Sequence, residues 1–114
     1  MPAEFSVIIV GGGLVGLTAA KALADQDIPV TIIESTSPQL SWSDDSITAQ
    51  VSALNEASVE ILNNLQVWET ISITHKTPLH EMIIWDHHHG GEIHFSATDI
   101  PSPQLGCIVE NRAV

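Results

Sequence analysis

The sequence predicts an α/β fold that opens with a strand, a helix and a second strand, and three observations support this. An apolar run of strand length, Val7–Val10, breaks into glycines. Helix-forming residues follow over Leu14–Ala24, and a second apolar run over 28–33 ends at Glu34. Two such strands joined by a helix pair in parallel, so we expect a Rossmann-like βαβ unit over residues 1–37.

Three glycines between the first strand and the helix fit the spacing G-x-G-x-x-G. Gly11 allows a tight turn, Gly13 lets the backbone approach a pyrophosphate, and Gly16 lets the helix pack close to the strand. The pyrophosphate would lie at the helix N-terminus, where backbone N–H groups and the helix dipole stabilise negative charge. These groups matter because Lys21 is the only Lys or Arg before Lys76.

Glu34 stands 23 residues after Gly11, close to the position where this unit places an acid on the adenosine ribose. A carboxylate there accepts hydrogen bonds from both ribose hydroxyls and repels a 2′-phosphate. Ser35 follows, where an Arg would favour a 2′-phosphate, so tightly held NADP is disfavoured. The alternative is an apolar βαβ unit whose glycines serve packing alone.

The composition limits the classes of partner. The chain has 114 residues, 44% of them hydrophobic, enough for the core of one small domain or part of one. A formal net charge of −11 makes DNA and RNA unlikely partners and repels anionic membranes. Cys107 is the only cysteine, which indicates a reducing compartment and a small buried residue. The acidic leader 1–4 argues against targeting, so we expect a cytoplasmic chain without a membrane span.

Beyond the βαβ unit, the pattern first predicts a loop and helices. Residues 38–45 carry turn residues without periodicity and form a surface loop that includes Trp42. Apolar residues at helical spacing predict an amphipathic helix over 52–65, within a helical segment 46–72. A short turn or helix then buries Trp68.

The remainder predicts strands. A β-hairpin has strands at 82–85 and 93–95, and its polar connection contains His87, His88 and His89. We predict a solvated loop rather than a metal site there. Neighbouring residues in a strand point to opposite faces, and no Cys or carboxylate stands at a four-ligand spacing.

The segment 104–114 predicts a third strand and the start of a helix. The strand, 105–109, is an apolar run of the kind that parallel sheets bury. Asn111 is a favourable residue for capping the helix that follows.

Six stretches occur in a specific order along nearly the whole chain. They are VIIVGGGLVG at 7–16, the strand ending at Glu34, VSALN at 51–55 with Ser58, LQVW at 65–68, MIIWD at 82–86 and GCIVENR at 106–112. Together they resemble the flavin-dependent aromatic hydroxylases, specifically the branch that acts in ubiquinone biosynthesis. The resemblance implies FAD rather than NAD as the bound nucleotide and NAD(P)H as the external reductant. It also implies hydroxylation of an aromatic ring with reduced flavin and dioxygen.

The resemblance also extends the predicted site. It implies that Asn111 and Arg112 open a helix near the flavin, and that Gln50 stands where most relatives place an Arg near the cofactor. Gln66 stands where a Gly is usual, so it must adopt a left-handed conformation or end the helix differently. No catalytic residue or metal ligand is predicted. The predicted cofactor-binding residues are Gly11, Gly12, Gly13, Leu14, Val15, Gly16, Glu34, Ser35, Gln50, Asn111 and Arg112.

These patterns predict the N-terminal, FAD-binding portion of a monooxygenase that hydroxylates a polyprenylated phenol or quinol. The hairpin, 80–97, would belong to the substrate-side sheet, and the lipophilic substrate would allow peripheral membrane association. Such enzymes continue for several hundred residues, so we expect the 114 residues alone to have little or no activity and to bind FAD weakly or not at all. We also expect them either to self-associate or to be only marginally folded. Two alternatives stay open, a remnant that binds no cofactor and a small NAD-binding module.

Overall fold

The computed structural model describes residues 5–43 and 45–114. The acidic leader 1–4 and Asp44 of the predicted loop lie outside the described residues. The strands are β1 Val7–Val10, β2 Val30–Ile33, β3 Val51–Asn55, β4 Lys76–Leu79, β5 Glu81–Trp85, β6 Glu92–Ser96 and β7 Gly106–Glu110. The helices are α1 Leu14–Ala24 and α2 Glu56–Asn64, with 3-10 turns at Trp68–Thr70, Ile73–His75, Ala97–Asp99 and Asn111–Ala113.

The predicted strand–helix–strand unit is present. Strands β1 and β2 pair in parallel, with Val7 opposite Val30, and α1 connects them. Helix α1 ends at the predicted break, where Asp27 takes a positive φ of 58°. Strand β2 begins later than predicted because Pro29 has no N–H to donate to a neighbouring strand.

The remaining strands pair antiparallel, which corrects the predicted third parallel strand. Strand β7 lies between β3 and β4 in a three-stranded sheet and runs antiparallel to both. Cys107 of β7 lies opposite Leu54 on one side and Pro78 on the other. An apolar run suits a central strand of either direction, so hydrophobicity alone gave the wrong orientation.

The helix predicted over 52–65 begins only at Glu56, because Val51–Asn55 is a strand. Side chains along β3 alternate between exposed and half-buried, which is the period of a strand and not of a helix. Asn55 then caps α2, since its Oδ1 accepts a hydrogen bond from the Ser58 backbone N–H at 2.9 Å. This cap fixes the boundary between strand and helix.

A small core forms where α2 packs on β7. It consists of Val59, Leu62, Trp68, Ile71, Cys107 and Val109. The burial predicted for Trp68 and Cys107 is confirmed, and burial raises the pKa of the Cys107 thiol. Gln66 takes the left-handed conformation, with a φ of 59°, at a cost of about 1 kcal/mol. That conformation ends α2 and brings Trp68 against it.

The predicted hairpin is confirmed and lies largely in solvent. Strands β5 and β6 pair antiparallel, with Glu81 opposite Ser96, and every residue of β5 is exposed. Ile83 is 49% exposed and Trp85 is 69% exposed. The Cα radius of gyration is 17.5 Å, against about 13 Å expected for a compact domain of this length. The chain therefore leaves much apolar surface uncovered.

We expect Gly16→Ala to destabilise the fold by about 2 kcal/mol. A Cβ built on Gly16 would lie 2.0 Å from the Gly11 carbonyl oxygen, so α1 would have to move. Alanine favours a helix interior over glycine by about 1 kcal/mol, but displacing a packed helix costs roughly 3 kcal/mol. Urea denaturation measures the free energy of unfolding.

Gly13→Ala is the matched control for this experiment. A Cβ on Gly13 would meet no atom within 4 Å, and changing a helix-capping glycine to alanine costs less than about 1 kcal/mol. A Gly16→Ala protein as stable as the Gly13→Ala protein would contradict the close packing described here.

Candidate nucleotide-binding site

Two glycines of the motif shape the turn beneath the site. Gly11 has a φ of 106°, a conformation that side chains rarely adopt, and its N–H donates to the Ile33 carbonyl at 2.8 Å. Gly16 lies directly against the Gly11 carbonyl. These contacts confirm the tight turn and the close helix packing predicted for the first and third glycines.

Gly13 leaves the start of α1 open. It occupies the N-cap position with extended backbone angles, and no side chain caps the helix there. The first turn of α1 carries no acidic residue. Because the first N–H groups of a helix lack partners within the helix, this end can receive an anion such as a pyrophosphate. The space above Gly13 is therefore open on the side of these N–H groups.

Glu34 lies beside this helix start at the end of β2. Its Oε2 accepts from the Gly12 backbone N–H, and its Oε1 accepts from the Thr36 N–H at 3.1 Å and the Ser35 hydroxyl at 3.2 Å. These donors, Gly12 first, lower the pKa of Glu34 below its ordinary value. The side chain is therefore an exposed carboxylate at neutral pH, which suits a ribose diol.

A cleft of about 470 Å³ runs from the start of α1 to the end of β7. Its walls come from α1, from the loop after β2, from the residues before β3 and from those after β7. Of the predicted cofactor-binding residues, it brings together Gly12, Gly13, Leu14, Gln50, Asn111 and Arg112. A neighbouring cleft of about 410 Å³ shares Gly12, Leu17 and Pro38 with it and adds Glu34.

Four predicted site residues lie outside both clefts. Gly11 and Gly16 support the turn from below, as described. Ser35 contacts Glu34 and not the cleft. Val15 is 79% exposed on α1, beside a separate apolar groove between the two helices.

Asn111 corrects a prediction about local structure. It was expected to cap a helix, but it is the first residue of the 3-10 turn Asn111–Ala113, and Glu110 precedes that turn without a side-chain cap. The Asn111 Oδ1 instead accepts from the Ser52 hydroxyl of β3 at 2.6 Å. A cross-strand partner thus replaces the cap and ties the end of β7 to β3.

A buried polar cluster behind the cleft escaped sequence reasoning. Glu110, 3% exposed, contacts His75 at 2.9 Å and the Arg112 Nε at 2.9 Å. The Trp42 indole N–H donates to His75 at 3.4 Å. The Arg112 guanidinium lies 4.9 Å from the centre of the Trp42 ring. One signal could have indicated it, a carboxylate placed directly after a buried apolar strand.

The three adjacent histidines lie in an exposed turn. Asp86 accepts from the His88 backbone N–H at 2.8 Å and contacts His89 Nδ1 at 2.7 Å. Within 5–43 and 45–114, no group of three or more His, Cys, Asp or Glu side chains is arranged to hold a metal. In the same ranges, no helix combines the length and apolar character needed to cross a membrane.

The fold is that of a mixed α/β domain with two adjoining clefts at the start of its first helix. The FAD-binding domain family matches residues 4–106, so the chain belongs to that family and FAD is its cofactor. The chain is 33% identical over 108 residues to the 3-demethoxyubiquinol 3-hydroxylase of Escherichia coli (strain K12), covering 95% of this chain and 27% of that protein.

Two further relatives agree with this family. The mitochondrial ubiquinone biosynthesis monooxygenase COQ6 of Drosophila melanogaster is 33% identical over 117 residues, covering 97% of this chain and 24% of that protein. The ubiquinone hydroxylase UbiL of Rhodospirillum rubrum is 30% identical over 109 residues, covering 93% of this chain and 24% of that protein. The chain spans about a quarter of the length of these curated relatives. The resemblance to the ubiquinone-biosynthesis hydroxylases is confirmed.

Glu110 gives the fold a predictable pH dependence. Its pKa lies below the ordinary value of 4.5, chiefly because His75 donates to its carboxylate. Such a group stabilises the fold above the ordinary value, and this contribution is lost as the pH falls through the folded-state pKa. Glu110→Gln should therefore lower the free energy of unfolding at neutral pH. The difference in this free energy between the variant and the parent should become smaller in acid.

Urea denaturation at about pH 7 and about pH 4 tests this expectation. Glu60→Gln, an exposed position on α2, is the control and should change the free energy of unfolding by less than about 0.5 kcal/mol. If the parent and Glu110→Gln differed in free energy of unfolding by the same amount at both pH values, the stabilising role of the Glu110 charge would be contradicted.

Proposed function

We propose that this chain is the FAD-binding portion of a flavin-dependent monooxygenase that hydroxylates an aromatic ring in ubiquinone biosynthesis. The substrate class is a polyprenylated phenol or quinol. The observation that carries the proposal is the pair of adjoining clefts. They bring Glu34, the start of α1 and Arg112 together in a chain of the FAD-binding family. The hydroxylases and monooxygenase named above support the reaction class.

Each part of the clefts suits one part of FAD. The Glu34 carboxylate would accept from the adenosine ribose, and the backbone N–H groups at the start of α1, from Gly13 onward, would receive the pyrophosphate. Gln50 and Arg112 lie toward the other end, where the flavin would be. With a net charge of −11, the chain needs these local donors to offset its long-range repulsion of the phosphates.

When bound, FAD would supply the redox chemistry, in which NAD(P)H provides two electrons and dioxygen gives one oxygen atom to the ring and the other to water. The residues of this chain bind and orient the cofactor.

The two alternatives differ from this proposal in what they bind. A small NAD-binding module would need only the glycine motif and Glu34, whereas the family match extends over 4–106. A remnant without cofactor is consistent with Gln50, which supplies no charge at the position where the resemblance implies an Arg. A measurement of FAD binding therefore separates the proposed function from both alternatives.

We expect Gly13→Val to abolish FAD binding in the full-length gene product. A Cβ on Gly13 would meet no protein atom within 4 Å, so the added side chain occupies the space we assign to the pyrophosphate. The dissociation constant, followed by flavin fluorescence, should rise by about a hundredfold or more.

Gly91→Val is the matched control. Gly91 is equally open to a Cβ, lacks a positive φ and lies at the hairpin turn. It should bind FAD like the parent. A Gly13→Val protein that retains FAD as well as the Gly91→Val protein would refute the placement of the cofactor.

We also propose that the 114-residue chain alone self-associates and binds FAD weakly. Its hairpin exposes Ile84, Trp85, Ile93 and Phe95, and such apolar surface favours association. Sedimentation and FAD titration of the purified chain test both statements. A monodisperse monomer that binds FAD with a Kd below about 1 µM would contradict them.

A further inference from the structure

Arg112 reaches the cofactor cleft, and buried side chains behind it hold its guanidinium in one place. We propose that Glu110 and His75 are positioning residues for the cofactor site and act through Arg112, although neither lines the cleft. This rests on the proposed function, because it takes the Arg112 guanidinium as a contact of bound FAD.

The Arg112 side chain is 16% exposed and held from three sides. Its Nε donates to Glu110 Oε2 at 2.9 Å, and its Nη2 donates to the Ser46 hydroxyl at 3.0 Å and to the Ser46 carbonyl. The guanidinium also stacks over the Trp42 ring. These contacts use three of the five N–H donors of a guanidinium. Nη1, which makes none of them, is the group we assign to the cofactor.

The Glu110 carboxylate holds the Arg112 side chain in position. The Oε1 atom accepts from His75, and Oε2 accepts from the Arg112 Nε and, at 3.3–3.4 Å, from the Thr48 N–H and hydroxyl. A buried carboxylate is stable only when charged or polar groups surround it, so its position is set by these partners. The position of the Arg112 guanidinium is set in turn by Glu110, because charge-assisted hydrogen bonds are directional and strong.

His75, 5% exposed, orients the carboxylate. The Trp42 indole N–H is a donor only, so the His75 Nε2 accepts from it at 3.4 Å. On the other side of the ring, His75 Nδ1 contacts Glu110 Oε1 at 2.9 Å. Since Trp42 also contacts Arg112, the four side chains form a closed ring of contacts.

This ring predicts that FAD affinity depends on residues that do not touch FAD. In the full-length gene product, Glu110→Gln and His75→Ala should each raise the Kd for FAD by about tenfold. In an Arg112→Gln background, Glu110→Gln should change the Kd by less than about twofold, because the residue through which it acts has been altered.

Two further variants separate positioning from general stability. His75→Asn keeps an N–H near the Nδ1 position and should bind FAD within about threefold of the parent. Val59→Ala removes core volume away from the ring, and it should lower the melting temperature without changing the Kd. All titrations are made at a temperature where circular dichroism shows each variant folded. Should Glu110→Gln not fold, His75→Ala in both backgrounds carries the test.

The outcomes are distinct. Tenfold losses that vanish in the Arg112→Gln background and are rescued by His75→Asn support the proposal. An unchanged Kd for Glu110→Gln and His75→Ala overturns it, and so do losses that persist in the Arg112→Gln background. If Gly13→Val still abolishes FAD binding in that case, the proposed function stands and only the positioning roles fail. If the parent binds no FAD, the proposed function itself fails.

Discussion

The close approach of α1 to the turn after β1 is the constraint on which the candidate nucleotide site depends. Because Gly16 has no Cβ, the helix starts directly against the Gly11 carbonyl, and this brings the Gly12 N–H to the Glu34 carboxylate. A glycine inside a helix costs about 1 kcal/mol relative to alanine. Gly16 therefore lowers the intrinsic stability of α1, but it allows the start of the helix to lie against the turn.

The far end of the cleft depends on a buried charge instead. Glu110 stands at the end of β7, in a different sheet from β1 and β2, and its partners come from the turn before β4, from Thr48 and from Arg112. The two ends of the cleft are therefore built by separate sheets. The loop that follows β2 joins them, with Pro38 near one end and Thr48 near the other.

Sequence reasoning predicted the secondary structure at the first end of the cleft better than that at the second, for a physical reason. The turn glycines, Glu34 and the hairpin are specified by residues close together in the chain. The direction of β7 and the strand at Val51–Asn55 depend on partners about fifty residues apart. The cap predicted at Asn111 was wrong for the same reason, because the Asn111 side chain accepts a hydrogen bond from Ser52, which is far away in the sequence.

The burial of Cys107 bears on the oxidative durability of the protein. With a raised pKa and 3% exposure, the thiol is almost wholly protonated at neutral pH, and peroxide reacts with the thiolate form. In the monooxygenase proposed above, this domain would lie beside reduced flavin and dioxygen and would be exposed to any peroxide released there. Its one thiol lies at the centre of a sheet, so sulfenic acid formation should be slow while the fold is intact and fast once it opens.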